Sequence, residues 1–145
     1  MIVDLPDLDA MTAFSSRIAR KVQAGDVISL EGELGTGKTT LARGILAGLG
    51  HDGEVPSPTF TIIETYENTK VPVAHADFYR LEDPSELREL GLDDYREGAV
   101  LIAEWPDKAG GFAHESACLA IKLEIAGLGR QAIVRGGREW QGRMP

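Results

Sequence analysis

The chain has 145 residues, a formal net charge of −8, 43% hydrophobic and 26% charged residues. That length suits one domain spanning 1–145, the composition is ordinary for a soluble globular protein, and no apolar run approaches the ~20 residues of a membrane-spanning helix. Cys118 is the only cysteine, which excludes an internal disulfide framework and a cysteine-only metal site, and the acidic balance argues against a chain that grips nucleic acid by itself.

The first residues, Met1-Ile2-Val3-Asp4-Leu5-Pro6-Asp7, lack the basic start and apolar stretch of an export signal, so the expected compartment is the cytoplasm. Asp7 or Asp9 can cap a first helix in which Met11, Phe14, Ile18 and Val22 recur at helical spacing, with a stop near Ala24-Gly25. Asp26–Glu31 reads as a short apolar strand. It runs into Gly32-Glu33-Leu34-Gly35-Thr36-Gly37-Lys38-Thr39, a match to Gly-x-x-x-x-Gly-Lys-[Ser/Thr], and Thr40–Leu46 then opens a helix closed by Gly48 and Gly50. Strand, glycine loop and helix is the context a phosphate-binding loop requires. Backbone N–H groups of the loop, Leu34 through Thr40, would turn toward phosphate oxygens at the helix N-terminus. Lys38 would reach the β- and γ-phosphates and the Thr39 hydroxyl would complete a Mg²⁺ shell.

Further on, Pro56-Ser57-Pro58-Thr59 is a polar loop stiffened by its prolines, and the Thr59 hydroxyl is a candidate γ-phosphate sensor. Phe60–Tyr66 is rich in β-branched and aromatic residues and predicts a strand, and Val71–Ala76 predicts another, with Asp77 directly after it. Asp83-Pro84-Ser85-Glu86 predicts a capped helix start, with Leu87 and Leu90 inward and Gly91 as its stop. Ala99–Ala103 is a continuous apolar run, as expected of a strand buried on both faces of a mainly parallel sheet, and Glu104 ends it. Ligands in such sheets bind beyond the carboxyl ends of the strands, which makes Glu104 and Asp77 the candidate catalytic carboxylates. Trp105-Pro106 predicts a turn, and His75 reads as a core or exposed histidine. Cys118–Ile125 and Gln131–Arg135 predict an antiparallel hairpin. The expected fold is an α/β sandwich of the P-loop nucleoside triphosphatase type, with a mainly parallel central sheet flanked by helices and a C-terminal antiparallel hairpin.

Gly32–Thr40, Ser57-Pro58-Thr59-Phe60, Asp77-Phe78-Tyr79-Arg80-Leu81, Asp83-Pro84 and Glu104-Trp105-Pro106 stand in the order and approximate spacing of the TsaE family. The resemblance covers most of the chain, with small departures at Glu33 and Thr36, where the family often has Asp and Ala. It implies a bacterial ATPase, with ATP and Mg²⁺ as cofactors, needed for N6-threonylcarbamoyladenosine at position 37 of tRNA. It implies association with the TsaB–TsaD pair, which would hold the tRNA, so that tRNA is a partner only indirectly and membrane and DNA are not partners. By the same resemblance Thr39 and Glu104 would hold Mg²⁺, Asp77 and Thr59 would act around the γ-phosphate and attacking water, and Lys38 would bind phosphate. Leu8 would lie against the adenine, and Arg130 in the hairpin would add a nucleotide contact. The partner contact is expected near the Ser57–Phe60 loop and the acidic stretch Glu82–Glu97.

A GTPase switch is disfavoured because Asn68-Thr69-Lys70-Val71 lacks the aspartate and the order of a guanine-reading motif. A kinase is disfavoured because no arginine-rich lid is visible. A nucleotide-dependent binding module uses the same loop and is not separated from a slow ATPase by sequence.

Overall fold

The computed structural model describes residues 1–56, 58 and 62–145. Among them, seven strands form one sheet in the order β1-β7-β6-β2-β5-β4-β3. β2 (Val27–Glu31) lies in the middle, parallel to β6 (Cys118–Ala126) on one side and to β5 (Val100–Glu104) on the other, with β4 (Val73–Asp77) parallel beyond β5. β3 (Ile63–Tyr66) and the β6–β7 hairpin (β7, Gly129–Gly136) add antiparallel edges, and β1 (Ile2–Leu5) pairs antiparallel with β7.

The apolar runs are continuous because alternate residues feed two cores. Ile28, Leu30, Val100 and Ile102 pack with Phe14, Ile18, Leu41 and Ile45 under α1 (Leu8–Lys21) and α2 (Lys38–Gly48). Val27, Leu101 and Ala103 pack on the other face with Phe78, Leu92 and Phe112. α1 and α2 meet through small residues: a Cβ added at Gly44 would stand 2.6 Å from the Ser15 Cβ, and one at Gly48 2.6 Å from the Ala19 Cβ. The helices flank both sides of the sheet, so the expected α/β architecture holds.

Several boundaries differ from the sequence expectation. β1 was not expected, because a four-residue edge strand has too short a pattern to stand out from a lead-in segment. α1 is capped by Asp7, whose Oδ1 accepts the Ala10 N–H at 2.8 Å, but it ends at Lys21 and Val22 is already extended. The strand expected over Phe60–Tyr66 is described as β3 from Ile63, since Ile62 has φ 67° and Phe60 and Thr61 lie outside the described residues. The strand expected over Val71–Ala76 begins after Pro72 and includes Asp77. The capping box forms, with Glu86 Oε1 accepting the Asp83 N–H at 3.1 Å and Asp83 Oδ1 accepting the Ser85 N–H at 2.9 Å. The helix proper, α3, covers Glu86–Leu90, and Gly91 (φ 71°) turns directly into an unexpected second helix, α4 (Leu92–Arg96).

The C-terminal segment is tied back by Arg143. Its guanidinium forks onto buried Asp26 at 2.7 and 2.9 Å and also donates to the Lys21 carbonyl at 2.7 Å. No helix among the described residues is long and apolar enough to cross a membrane.

Candidate functional site

The site sits where β2, β5 and β4 end, on the face covered by α2. Residue parity decides this: Val100 and Ile102 face α2, so Glu104 does too, and Asp77 follows Val73 and His75 in the same sense. Their Cα positions pair across β4 and β5, which brings the two carboxylates side by side.

The glycine loop links β2 to α2 and needs its glycines. Gly35 and Gly37 have φ 82° and 104°, and a Cβ at Gly32 would stand 2.6 Å from the Leu123 carbonyl oxygen. Thr36 is buried, and its hydroxyl donates to the Glu33 carbonyl at 2.8 Å, closing the loop on itself. Arg130 braces the same loop from the hairpin, donating to the carbonyls of Thr36 at 3.2 Å and Gly35 at 3.0 Å. The Thr36 N–H also donates to the Glu33 carbonyl, at 3.3 Å. Arg130, expected as a nucleotide contact, lines the cavity, and its guanidinium donates to two loop carbonyls and to the Gly129 carbonyl at 3.0 Å.

Lys38 opens α2 and folds back to donate to the carbonyls of Gly32 at 2.5 Å and Glu33 at 3.1 Å. The Trp105 ring covers it, with the ammonium 4.2 Å from the ring centroid, and Trp105 holds an αL conformation (φ 56°). Burial pushes the Lys38 ammonium below the usual lysine range, against the opposing pull of Glu104 and Asp77. A positive group with two carboxylates at hand is suited to meet phosphate and lose little on desolvation.

Glu104 is 2% exposed and both its oxygens are engaged. Oε1 accepts the Thr39 hydroxyl at 3.0 Å and Oε2 meets His75 Nε2 at 2.6 Å. Asp77 Oδ1 accepts the Tyr79 N–H at 2.9 Å, so the turn after β4 uses it as well. His75, which the sequence reads as a core or exposed histidine, is a core one, and its contact with Glu104 carries no sequence signal. It is fully buried, and its Nδ1 has no hydrogen-bond partner among the described residues. A buried polar atom in that state costs about 1–3 kcal/mol.

Two adjoining cavities converge on the loop. One of about 350 Å³ is lined by Leu34, Gly35, Gly37, Lys38, Thr39, Thr40, Asp77, Glu104 and Trp105. The other, about 320 Å³, shares Gly35, Gly37 and Thr40 and continues to Thr36, Leu8, Met11, Leu128 and Arg130. The structure therefore gathers every residue expected at the site except Thr59, which lies outside the described residues. The oxygens of Thr39 and Glu104 are the hard donors that Mg²⁺ prefers. Among the described residues no cluster of three or more His, Cys, Asp or Glu side chains could hold a metal alone. Mg²⁺ would thus depend on phosphate oxygens and water for the rest of its shell, as it commonly does.

A mainly parallel sheet with a glycine loop leading into a helix, and acidic residues at adjacent strand ends, defines a P-loop-type α/β fold. The sequence matches the family described as "Threonylcarbamoyl adenosine biosynthesis protein TsaE" over residues 5–132. The chain belongs to the TsaE family. It is 38% identical over 118 residues to the tRNA threonylcarbamoyladenosine biosynthesis protein TsaE of Haemophilus influenzae, covering 77% of this chain and 75% of that one. With its counterpart in Bacillus subtilis it shares 48% over 94 residues, 64% of this chain and 58% of the relative. The crystal structure of Bacillus subtilis YdiB superposes with a TM-score of 0.81 at 30% identity, covering 98% of this chain and 89% of that one.

Proposed function

We propose that this chain is a Mg²⁺-dependent ATPase that supports formation of N6-threonylcarbamoyladenosine at tRNA position 37 by associating, in its ATP-bound form, with the TsaB–TsaD pair in the cytoplasm. The observation that carries the ATPase reading is the contact of Thr39 Oγ1 with Glu104 Oε1 at 3.0 Å, beside Lys38 at the start of α2. Phosphates seated on the loop amides would take Lys38 from the Gly32 and Glu33 carbonyls. Thr39 and Glu104 would hold Mg²⁺, which when bound neutralises charge on the phosphate oxygens. Asp77, which lines the same cavity, would orient the attacking water, and Leu8 and Leu128 would offer apolar walls for the adenine. The net charge of −8 supports a tRNA held by the partner rather than by this chain.

Single-turnover ATP hydrolysis by the parent and by Glu104→Gln, each with and without TsaB–TsaD, tests the reading. The variant should keep metal-independent nucleotide binding and lose about 100-fold or more in rate, equivalent to about 2.7 kcal/mol. Hydrolysis close to the parent in Glu104→Gln would remove Glu104 from the chemistry. Equal association with TsaB–TsaD in ATP analogue, ADP and no nucleotide would remove the switch.

A further inference from the structure

We infer that His75 is a positioning residue that sets the orientation of the Glu104 carboxylate and so its affinity for the metal. This rests on the reading that Glu104 faces Mg²⁺. An ionised carboxylate can only accept, so His75 Nε2 carries the proton it shares with Glu104 Oε2 at 2.6 Å. That bond fixes one oxygen and leaves Oε1 toward the Thr39 hydroxyl. A free glutamate side chain samples several rotamers, whereas this one is pinned at both oxygens before any ligand arrives.

Packing alone does not account for a histidine here. His75 is fully buried on β4 between Val73 and Asp77, in the layer packed under α2, and its Nδ1 has no partner among the described residues. An apolar side chain would fill that layer without leaving a nitrogen unsatisfied. What the imidazole supplies and an apolar group lacks is a donor at the distance of Glu104. Outer partners of this kind orient metal ligands, and their loss typically weakens metal binding about 10- to 100-fold.

The test uses two amides that differ in reach by one methylene. The Gln amide nitrogen extends to the place of Nε2, and the Asn nitrogen stops near that of Nδ1. The full chain, His75→Asn and His75→Gln are compared for affinity toward a non-hydrolysable ATP analogue, with Mn²⁺ and in chelator, alongside thermal unfolding. The inference expects the Mn²⁺-dependent gain in analogue affinity to fall about 10-fold or more in His75→Asn. It expects that gain to be held within about 3-fold in His75→Gln, with binding in chelator unchanged in both. His75→Leu replaces His75→Asn if the latter does not fold. An unchanged Mn²⁺ gain in His75→Asn overturns the inference. So does an equal loss in His75→Asn and His75→Gln, or a parallel loss in chelator, since each marks a packing role. If the parent shows no Mn²⁺-dependent gain at all, the Mg²⁺-ATPase reading falls with it, and that result is visible before any variant is made.

Discussion

Replacing Lys38 by alanine should weaken ATP far more than adenosine, and the structure sets the scale. The ammonium is engaged by the neutral carbonyls of Gly32 and Glu33 and covered by the Trp105 ring. ATP therefore gains the difference between bonds to neutral carbonyls and bonds to charged phosphate oxygens, not the whole value of the latter. Hydrogen bonds to charged groups contribute about 1.5–3 kcal/mol and neutral ones about 0.5–1.5. With the two bonds exchanged at about 1–1.5 kcal/mol each, and the repulsion of Glu104 and Asp77 no longer offset, the loss comes to about 2–3 kcal/mol, or about 30- to 150-fold in Kd. Titration calorimetry with ATP, ADP and adenosine in the presence of Mg²⁺ reads this directly. ATP should lose most, ADP less, and adenosine close to nothing. Equal weakening of all three would mean that Lys38 acts by shaping the loop, and unchanged ATP binding would take it away from the phosphates altogether.

Gly44→Ala should destabilise by about 1–3 kcal/mol in urea although alanine is the better helix former, because its Cβ would meet the Ser15 Cβ at 2.6 Å, and adding Ser15→Gly should recover most of the loss. A variant as stable as the parent would mean that α1 and α2 slide apart without cost. Arg143→Met should cost about 3 kcal/mol by leaving the Asp26 carboxylate buried without its guanidinium, and a loss below 1 kcal/mol in chemical denaturation would make that clamp a surface pair. Burial, then the nearby Asp107 carboxylate, holds the Glu31 carboxyl above its ordinary range. A raised folded-state value favours the protonated form, so the environment's contribution is present below the unfolded pKa and is lost as pH rises through the folded one. Glu31→Gln should therefore raise the melting temperature at pH 7, with the gain vanishing toward pH 4; a gain that persists in acid would contradict this.

The parts legible in the sequence were those whose chemistry is local. A loop that needs positive φ at Gly35 and Gly37, with Lys38 and Thr39 at the helix start, leaves no choice of residue and so prints itself as a motif. Glu104 and Asp77 were legible for a related reason: a strand buried on both faces is an uninterrupted apolar run, and a carboxylate ending it marks the carboxyl edge of the sheet. His75 was not legible, because its partner lies 29 residues away and a lone histidine inside a strand carries no pattern. The same holds for the Arg143–Asp26 clamp, which spans 117 residues. The bonds from Arg130 to the loop were not legible either, since nothing local says whether a guanidinium faces a ligand or the loop carbonyls. α4 was hidden by Gly91, which reads as a stop and serves as the junction between two helices.

The two carboxylates are held in different ways, and the difference bears on what their amide variants report. Asp77 Oδ1 serves the turn by accepting the Tyr79 N–H. Asparagine can keep that bond with its carbonyl oxygen while losing the charge. Glu104 faces donors on both sides, the His75 N–H and the Thr39 hydroxyl. Glutamine can keep both contacts by giving its oxygen to the His75 N–H and its amide nitrogen to the Thr39 hydroxyl or, with the imidazole in its other tautomer, by the reverse. In either arrangement the variant stays hydrogen-bonded and loses the negative charge that would face the cation. Both variants remove a charge, but Glu104→Gln removes it from the side chain that shares the Thr39 hydroxyl, where Mg²⁺ would be held. The larger kinetic loss is therefore expected for Glu104, whose charge would act on the ion directly.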